Sequence, residues 1–182
     1  MWFGVACDQQ LVFATSFDTT QQKTLESLLD SVPFNVQLQF LSEPTDFATD
    51  VLDLVKAVYD GKNTSQFLPL ATAHLSKYMQ RVLEVTALIP VGCVASYGAV
   101  AEVTGGSARA VGNVMAANPF APVVPCHRVV GAGFKLGGYS GLQVKREILE
   151  REKRGYASPK EITVDNGKLH VFPVEFVLKK LE

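Results

Sequence analysis

Residues Val123 to Val130 read VVPCHRVV. A thiol, an imidazole and a guanidinium stand in a row between two pairs of valine. The apolar flanks call for burial, and burying charge is costly unless it is paired. A cysteine attacks as its thiolate, and a nearby imidazole is the usual base that generates it. Cys126 and His127 are therefore a candidate nucleophile and base. On an extended segment adjacent side chains point to opposite faces. A direct thiol–imidazole bond is then not expected, and coupling through a bridging water is. A dyad also needs a third group to orient its imidazole. Glu147, Glu150 and Glu152 on the following helical stretch are the candidates. Taken alone, a Cys-His dipeptide fits a buried structural cysteine beside a hydrogen-bonded histidine better than it fits a dyad.

The remaining reactive residues narrow the chemistry. The other cysteines are Cys7 and Cys93, no CxxC occurs, and His74, His127 and His170 are scattered. A disulfide framework and a structural zinc site are both disfavoured. No Gly-rich phosphate loop or dinucleotide fingerprint is present, so no cofactor is expected. At 182 residues, 47% hydrophobic and 19% charged, the chain has the make-up of a globular protein of one domain or two small ones. No apolar run approaches the roughly 20 residues of a membrane span, and MWFGVACDQQ lacks the layout of a secretory signal. The expectation is a protein of a reducing compartment with no membrane partner, cytoplasmic, or nuclear in a eukaryote. Residues 1–90 hold 5 Lys+Arg against 10 Asp+Glu, while residues 91–182 hold 12 against 8. Only the second half could face an anion such as nucleic acid.

The elements that must position the block follow from periodicity. WFGVAC and LVFATSF read as strands of a hairpin. TTQQKTLESLLDSV reads as a helix through Leu25, Leu28 and Leu29, and FNVQLQFL alternates like a half-buried strand. TDFATDVLDLVKAVYDGK is an amphipathic helix capped at Thr45 or Asp46, with Gly61 past its end. Residues 1 to about 61 thus read β-β-α-β-α, and NTSQFLPL reads as a linker. HLSKYMQRVLEVTALIP is a helix closed by Pro90, GCVAS is extended, and YGAVAEVTGG is a short helix ended by two glycines. SARAVGNVMAANP starts at a Ser107 cap and stops at Pro119. Two short helices about a glycine turn make a helix-turn-helix candidate, a pairing too common to assign DNA binding by itself. LQVKREILEREKRG is a further helix, and EITVDNGKLHVF a hairpin with Asn166-Gly167 at its turn.

Five blocks, IPVGCVASYG, ARAVGNVMAANP, VVPCHRVV, GGYSG and VKREILEREK, stand in the order and near the spacing of the O6-alkylguanine-DNA alkyltransferases, which residues 74–154 resemble. The resemblance implies an α/β protein. A small N-terminal α/β domain (1–68) precedes a mostly helical, winged-helix-like helix-turn-helix domain (69–155) that carries the active-site cysteine. A C-terminal extension (156–182) reads as a β-hairpin. The implied activity is DNA repair by stoichiometric transfer of an alkyl group from O6-alkylguanine, with O4-alkylthymine a further candidate lesion, to the protein's own cysteine. Base flipping and irreversible self-inactivation accompany it. The alternatives are a non-enzymatic alkylguanine-sensing DNA-binding protein, which would lack the acceptor cysteine, and a thiol hydrolase or redox protein, which would need an oxyanion hole or a resolving cysteine.

Matched position by position, Cys126 looks like the alkyl acceptor, His127 its water-coupled base, and Glu152 the orienting carboxylate. Tyr97 resembles the tyrosine that helps rotate the nucleotide, Asn118 the hinge residue, and Arg109 the finger that enters the duplex. Tyr139 and Ser140 resemble pocket wall and donor to guanine O6, and Val129 the carbonyl that accepts from the guanine 2-amino group. Ser96 and Lys145 fall among the substrate- and DNA-binding positions, while Arg128 is expected to pair with an acidic group. The implied partner is double-stranded DNA, gripped in the minor groove without sequence preference by a monomer. The helix carrying Arg109 agrees. Its side chains are mostly small or apolar, with little to read base edges and one long cation to insert.

Overall fold

The computed structural model describes residues 1–64, 68–137 and 141–181. The N-terminal part is an antiparallel hairpin of β1 (Trp2–Cys7) and β2 (Val12–Asp18), followed by α1 (Gln21–Ser31) and α2 (Asp46–Tyr59). The Asp8 carboxylate turns the hairpin by accepting from the Gln10 and Leu11 amides, both at 2.7 Å. Threonine side chains cap both helices, Thr20 accepting from Lys23 N and Thr45 from Ala48 N. α2 buries Ala48, Val51, Leu54, Val55 and Val58 along one face, the spacing its sequence carries. Its last residue, Tyr59, meets Phe3 and Phe17 of the hairpin at ring distances of 5.4 and 5.6 Å.

Two expectations for this part are corrected. Residues 34–41 form no strand, and Phe34, Leu38, Phe40 and Leu41 are exposed. Alternation supplies a face but not a ladder partner. The β2 edge is already taken: Val12 N donates to Pro69 O at 2.9 Å, and Thr15 N to Pro119 O at 2.8 Å. In α1 the residue buried is Thr24, while Leu25 and Leu29 stay exposed.

The larger part begins with α3 (Lys77–Ala87), capped by Ser76, and β3 (Cys93–Ser96). α4 (Tyr97–Thr104) and α5 (Ala108–Ala116) form the helix-turn-helix, capped by Ser96 and Ser107. Gly105 and Gly106 join them, both with positive φ, of 82° and 85°. Val82, Val100, Val111, Met115 and Phe120 belong to the core these helices share. β4 (Val129–Val130) pairs in parallel with β3, Ala95 opposite Val129 and Ser96 opposite Val130. α6 (Leu142–Arg151) follows.

The tail is integral to this sheet. β5 (Lys160–Val164) and β6 (Gly167–Pro173) form the expected hairpin, and β6 pairs with β3, giving the order β4-β3-β6-β5. Val164 pairs with Gly167, so the turn is Asp165-Asn166, one residue earlier than the sequence suggested. A hairpin alone does not describe the extension, because α7 (Val174–Leu178) follows β6 directly.

The glycine turn yields a stability test. A β-carbon at Gly106 would lie 2.7 Å from the Tyr78 hydroxyl, whereas one at Gly105 meets nothing within 4 Å. Gly105→Ala should cost about 1 kcal/mol from the left-handed backbone alone. Gly106→Ala should cost about 2 kcal/mol or more, strain and overlap together. Urea midpoints of the two variants at unchanged slope check the difference.

Candidate functional site

The Pro-Cys-His-Arg block is a 3-10 turn (Cys126–Arg128) entering β4, not a strand, which corrects the extended reading. Arg128 N donates to Pro125 O, and Val129 N to Cys126 O, closing it. Three residues per turn set successive side chains about 120° apart. Cys126 and His127 therefore still diverge, for a different geometric reason than the one the sequence suggested. Cys126, His127 and Arg128 are all buried. The approach to the turn is fixed by Asn118, whose Nδ2 donates to Val124 O at 2.9 Å while its Oδ1 accepts from Phe120 N at 3.0 Å.

One carboxylate organises the polar side chains. Glu152, just past α6, is fully buried. Its Oε1 lies 3.0 Å from His127 Nε2. Arg128 grips it from Nε at 3.0 and 3.1 Å and from Nη2 at 2.7 Å, and Nη1 donates to Ile89 O at 2.7 Å. Gly92 N donates to Oε2 at 3.5 Å. Burial by itself pushes the Glu152 carboxyl up, but the His127 hydrogen bond and the Arg128 guanidinium outweigh it and hold it at about 2. Burial drives the His127 pKa down against the pull of Glu152, so the imidazole is neutral at neutral pH. An ionised carboxylate only accepts hydrogen bonds, so Nε2 carries the imidazole proton and Nδ1 is a bare acceptor. Nδ1 is buried and meets no hydrogen-bonding partner among the described residues.

Tyr97 and Lys145 flank the thiol. Burial raises the Tyr97 pKa and nearby Cys126 adds to the shift, so the hydroxyl keeps its proton at physiological pH. Lys145, expected among the substrate- and DNA-binding positions, is fully buried. Its ammonium donates to Val129 O at 2.7 Å and Leu136 O at 2.6 Å and lies 5.9 Å from the Tyr97 ring centre. Burial lowers its pKa to about 8, with Cys126 opposing. Val129 O already accepts from Lys145, which leaves one lone pair for another donor. Ser96 caps α4, its Oγ accepting from Ala99 N at 3.0 Å. Arg109 is exposed on α5 beside Asn113, apart from the buried cluster, and Gly112 between them opens onto free space. Tyr139 and Ser140 lie outside the described residues.

Sequence reasoning missed the two backbone partners, Gly92 N and Ile89 O, and no side-chain signal could have revealed them. Among the described residues no three His, Cys, Asp or Glu side chains gather as metal ligands would, and no helix is long and apolar enough to cross a membrane.

The family model for the DNA-binding domain of 6-O-methylguanine DNA methyltransferase matches residues 77–154. The methylated-DNA–protein-cysteine methyltransferase of Mycobacterium tuberculosis is 46% identical over 90 residues, 48% of this chain and 53% of that protein. The enzyme of the same name from Methanothermobacter thermautotrophicus is 35% identical over 113 residues, 61% and 64% of the two chains. The chain thus aligns with about half to two thirds of the length of these curated relatives. Structural similarity reaches further. The crystal structure of M. tuberculosis OGT in complex with DNA superposes with a TM-score of 0.61 at 30% identity, covering 82% of this chain and 84% of that one. The O6-methylguanine-DNA methyltransferase of Pyrococcus kodakaraensis superposes at 0.66 with 28% identity, covering 83% and 90%. The chain belongs to the O6-methylguanine-DNA methyltransferase family.

The buried cluster predicts a pH dependence of stability. A carboxyl at about 2 when folded and about 4.5 when unfolded favours folding above pH 4.5, an advantage lost as pH falls through about 2. The depressed His127 acts in the same direction from its ordinary 6.5 downward. Glu152→Gln leaves Arg128 buried without its counter-charge. It should lose roughly 3–5 kcal/mol at pH 7, and the gap to the parent protein should narrow between pH 4.5 and 2. Denaturant titrations across that range measure it.

Proposed function

We propose that this protein repairs O6-alkylguanine in double-stranded DNA by moving the alkyl group onto Cys126, once per molecule. The observation that carries the reading is the buried Glu152–His127 pair next in the chain to Cys126: an ionised carboxylate fixes the imidazole, and its Nδ1 meets no hydrogen-bonding partner among the described residues. In the mechanism, a water at Nδ1 relays the thiol proton to His127, and the resulting imidazolium is stabilised by Glu152. The thiolate attacks the alkyl carbon, an S–C bond forms, and the C–O6 bond breaks with its electron pair going to the purine. The Tyr97 hydroxyl, kept protonated by burial, donates toward the charge that develops there. The proton taken from the thiol ends on the released guanine. The product thioether is not reversed by thiol exchange, so the chain does not turn over.

The remaining roles belong to the same reading. The target base leaves the stack to reach a buried thiol. α5 approaches the minor groove with its exposed face of Arg109, Gly112 and Asn113, and Arg109 fills the place of the flipped base. Val129 O receives the guanine 2-amino group. Tyr139 and Ser140 complete the pocket as wall and O6 donor. Asn118 keeps recognition helix and cysteine turn in register. On the same reading the chain acts as a monomer, without a cofactor and without sequence preference.

The test is incubation with an O6-methylguanine duplex followed by peptide mass spectrometry. One methyl per chain on Cys126, and an inert product, is the expected outcome. Label on Cys7 or Cys93, or repeated turnover, contradicts it. Cys126→Ala should lose transfer yet keep DNA binding. Arg109→Ala should slow duplex repair about 10-fold or more while leaving reaction with free O6-benzylguanine within about 2-fold, since the free base needs no flipping. Equal losses on both substrates would remove the flipping role.

A further inference from the structure

We infer that the C-terminal segment β6–α7 is a positioning element for the pocket-side loop Gly131–Gly137, with Phe134 as the residue it grips, and that this grip governs how readily the chain accepts its base substrate. The inference rests on the reading of Cys126 as alkyl acceptor.

The family match ends at residue 154, so β5, β6 and α7 lie beyond it. Pairing of Val94 with Phe172 brings β6 against the strand that leads into Tyr97. α7 starts straight after Pro173 and carries Phe176. The Phe134 ring sits 5.2 Å from Phe172 and 5.5 Å from Phe176, edge-on to both at 71° and 84°. Lys180 Nζ lies 6.0 Å from the same ring centre. Beneath them, Val174, Val177 and Leu178 share a buried cluster with Val94, Val130 and Leu149.

Phe134 has a φ of 64°, the one positive φ at a non-glycine position among the described residues. A side chain with a β-carbon enters that region only when its surroundings compel it. Here the edge-on aromatic contacts, all from the C-terminal segment, supply the compulsion. The other end of the loop touches the site. Leu136 O accepts from the Lys145 ammonium that also holds Val129 O. A β-carbon at Gly137 would lie 2.9 Å from Tyr97 Cε2, so this loop and the Tyr97 ring are packed to contact. Gly131 N closes the loop on Lys135 O at 2.7 Å. Releasing Phe134 therefore loosens the wall against Tyr97 and Lys145 without touching Cys126, His127 or Glu152.

The test uses the full-length chain. In Phe176→Ala, amide exchange at Gly131, which donates to Lys135 O, should quicken about 10-fold while the Cys126, Arg128 and Val129 amides keep their protection. In single-turnover reaction with free O6-benzylguanine, the half-saturating concentration should rise about 5-fold with the limiting rate within about 2-fold, a cost of loop ordering and not of chemistry. Phe176→Tyr should restore both. Parental exchange in a folded Phe176→Ala protein overturns the grip. Faster exchange with an unchanged half-saturating concentration overturns its bearing on substrate. Should Phe176→Ala fail to fold, Phe134→Gly removes the gripped ring while suiting the backbone, and the same outcomes decide. A parent protein that never alkylates Cys126 defeats the functional reading, and the exchange measurement then still decides whether the grip exists.

Discussion

A single buried carboxylate ties the structure together. Glu152 accepts from His127 and Arg128 at once, and Gly92 N lies at the edge of hydrogen-bonding reach. The partners come from two places: His127 and Arg128 from the cysteine turn, and Gly92 from the link between α3 and β3. A charge out of contact with water is tolerable only with every lone pair engaged. The folded chain therefore has to bring the end of α6, the Pro90–Gly92 link and the Cys126–Arg128 turn together. The arrangement divides the work. Arg128 balances the charge, which frees His127 to remain neutral and to serve, on the proposed mechanism, as a base.

The parts outside the family match brace this centre from two sides. The N-terminal hairpin holds the approach to the turn, with Thr15 donating from its amide to Pro119 O and from its hydroxyl to Ala121 O. The end of α2 holds the helix that delivers Glu152. Arg151 stacks on the Tyr59 ring at 4.3 Å and donates to Tyr59 O, and Arg154 donates to Gly61 O. Gly61 has a φ of 72°, and a β-carbon there would meet Arg151 O at 2.6 Å, so the close approach needs a glycine on two counts. The C-terminal hairpin adds β6 to the free edge of β3, opposite β4.

The site is built with contrasting rigidity. Its chemical floor is buried, cross-bonded and seated on the sheet. The exposed face of α5 is bare, with Arg109 its long cation and Gly112 open to solvent. The division suits the proposed function: a fixed floor for reaction, and a thin surface that would let the backbone of DNA come close.

The sequence alone determined the elements whose signals are local. Thr45 and Ser107 cap their helices, the two glycines break α4 from α5, and the Pro-Cys-His-Arg block stands out because apolar flanks surround reactive groups. The order of the five blocks also carried the family, since shared ancestry is written in residues. Tertiary structure decided what depends on partners distant in the chain. The alternating FNVQLQFL stayed out of any ladder because β2 had spent its edge on Pro69 and Pro119. The cysteine segment became a 3-10 turn because its side chains had to reach Glu152, 24 or more residues away. The two carbonyls that enclose Lys145 and the pairing of the C-terminal hairpin with β3 could be read only from the fold. Charge and periodicity report what a residue prefers, and only packing reports which partner satisfies it.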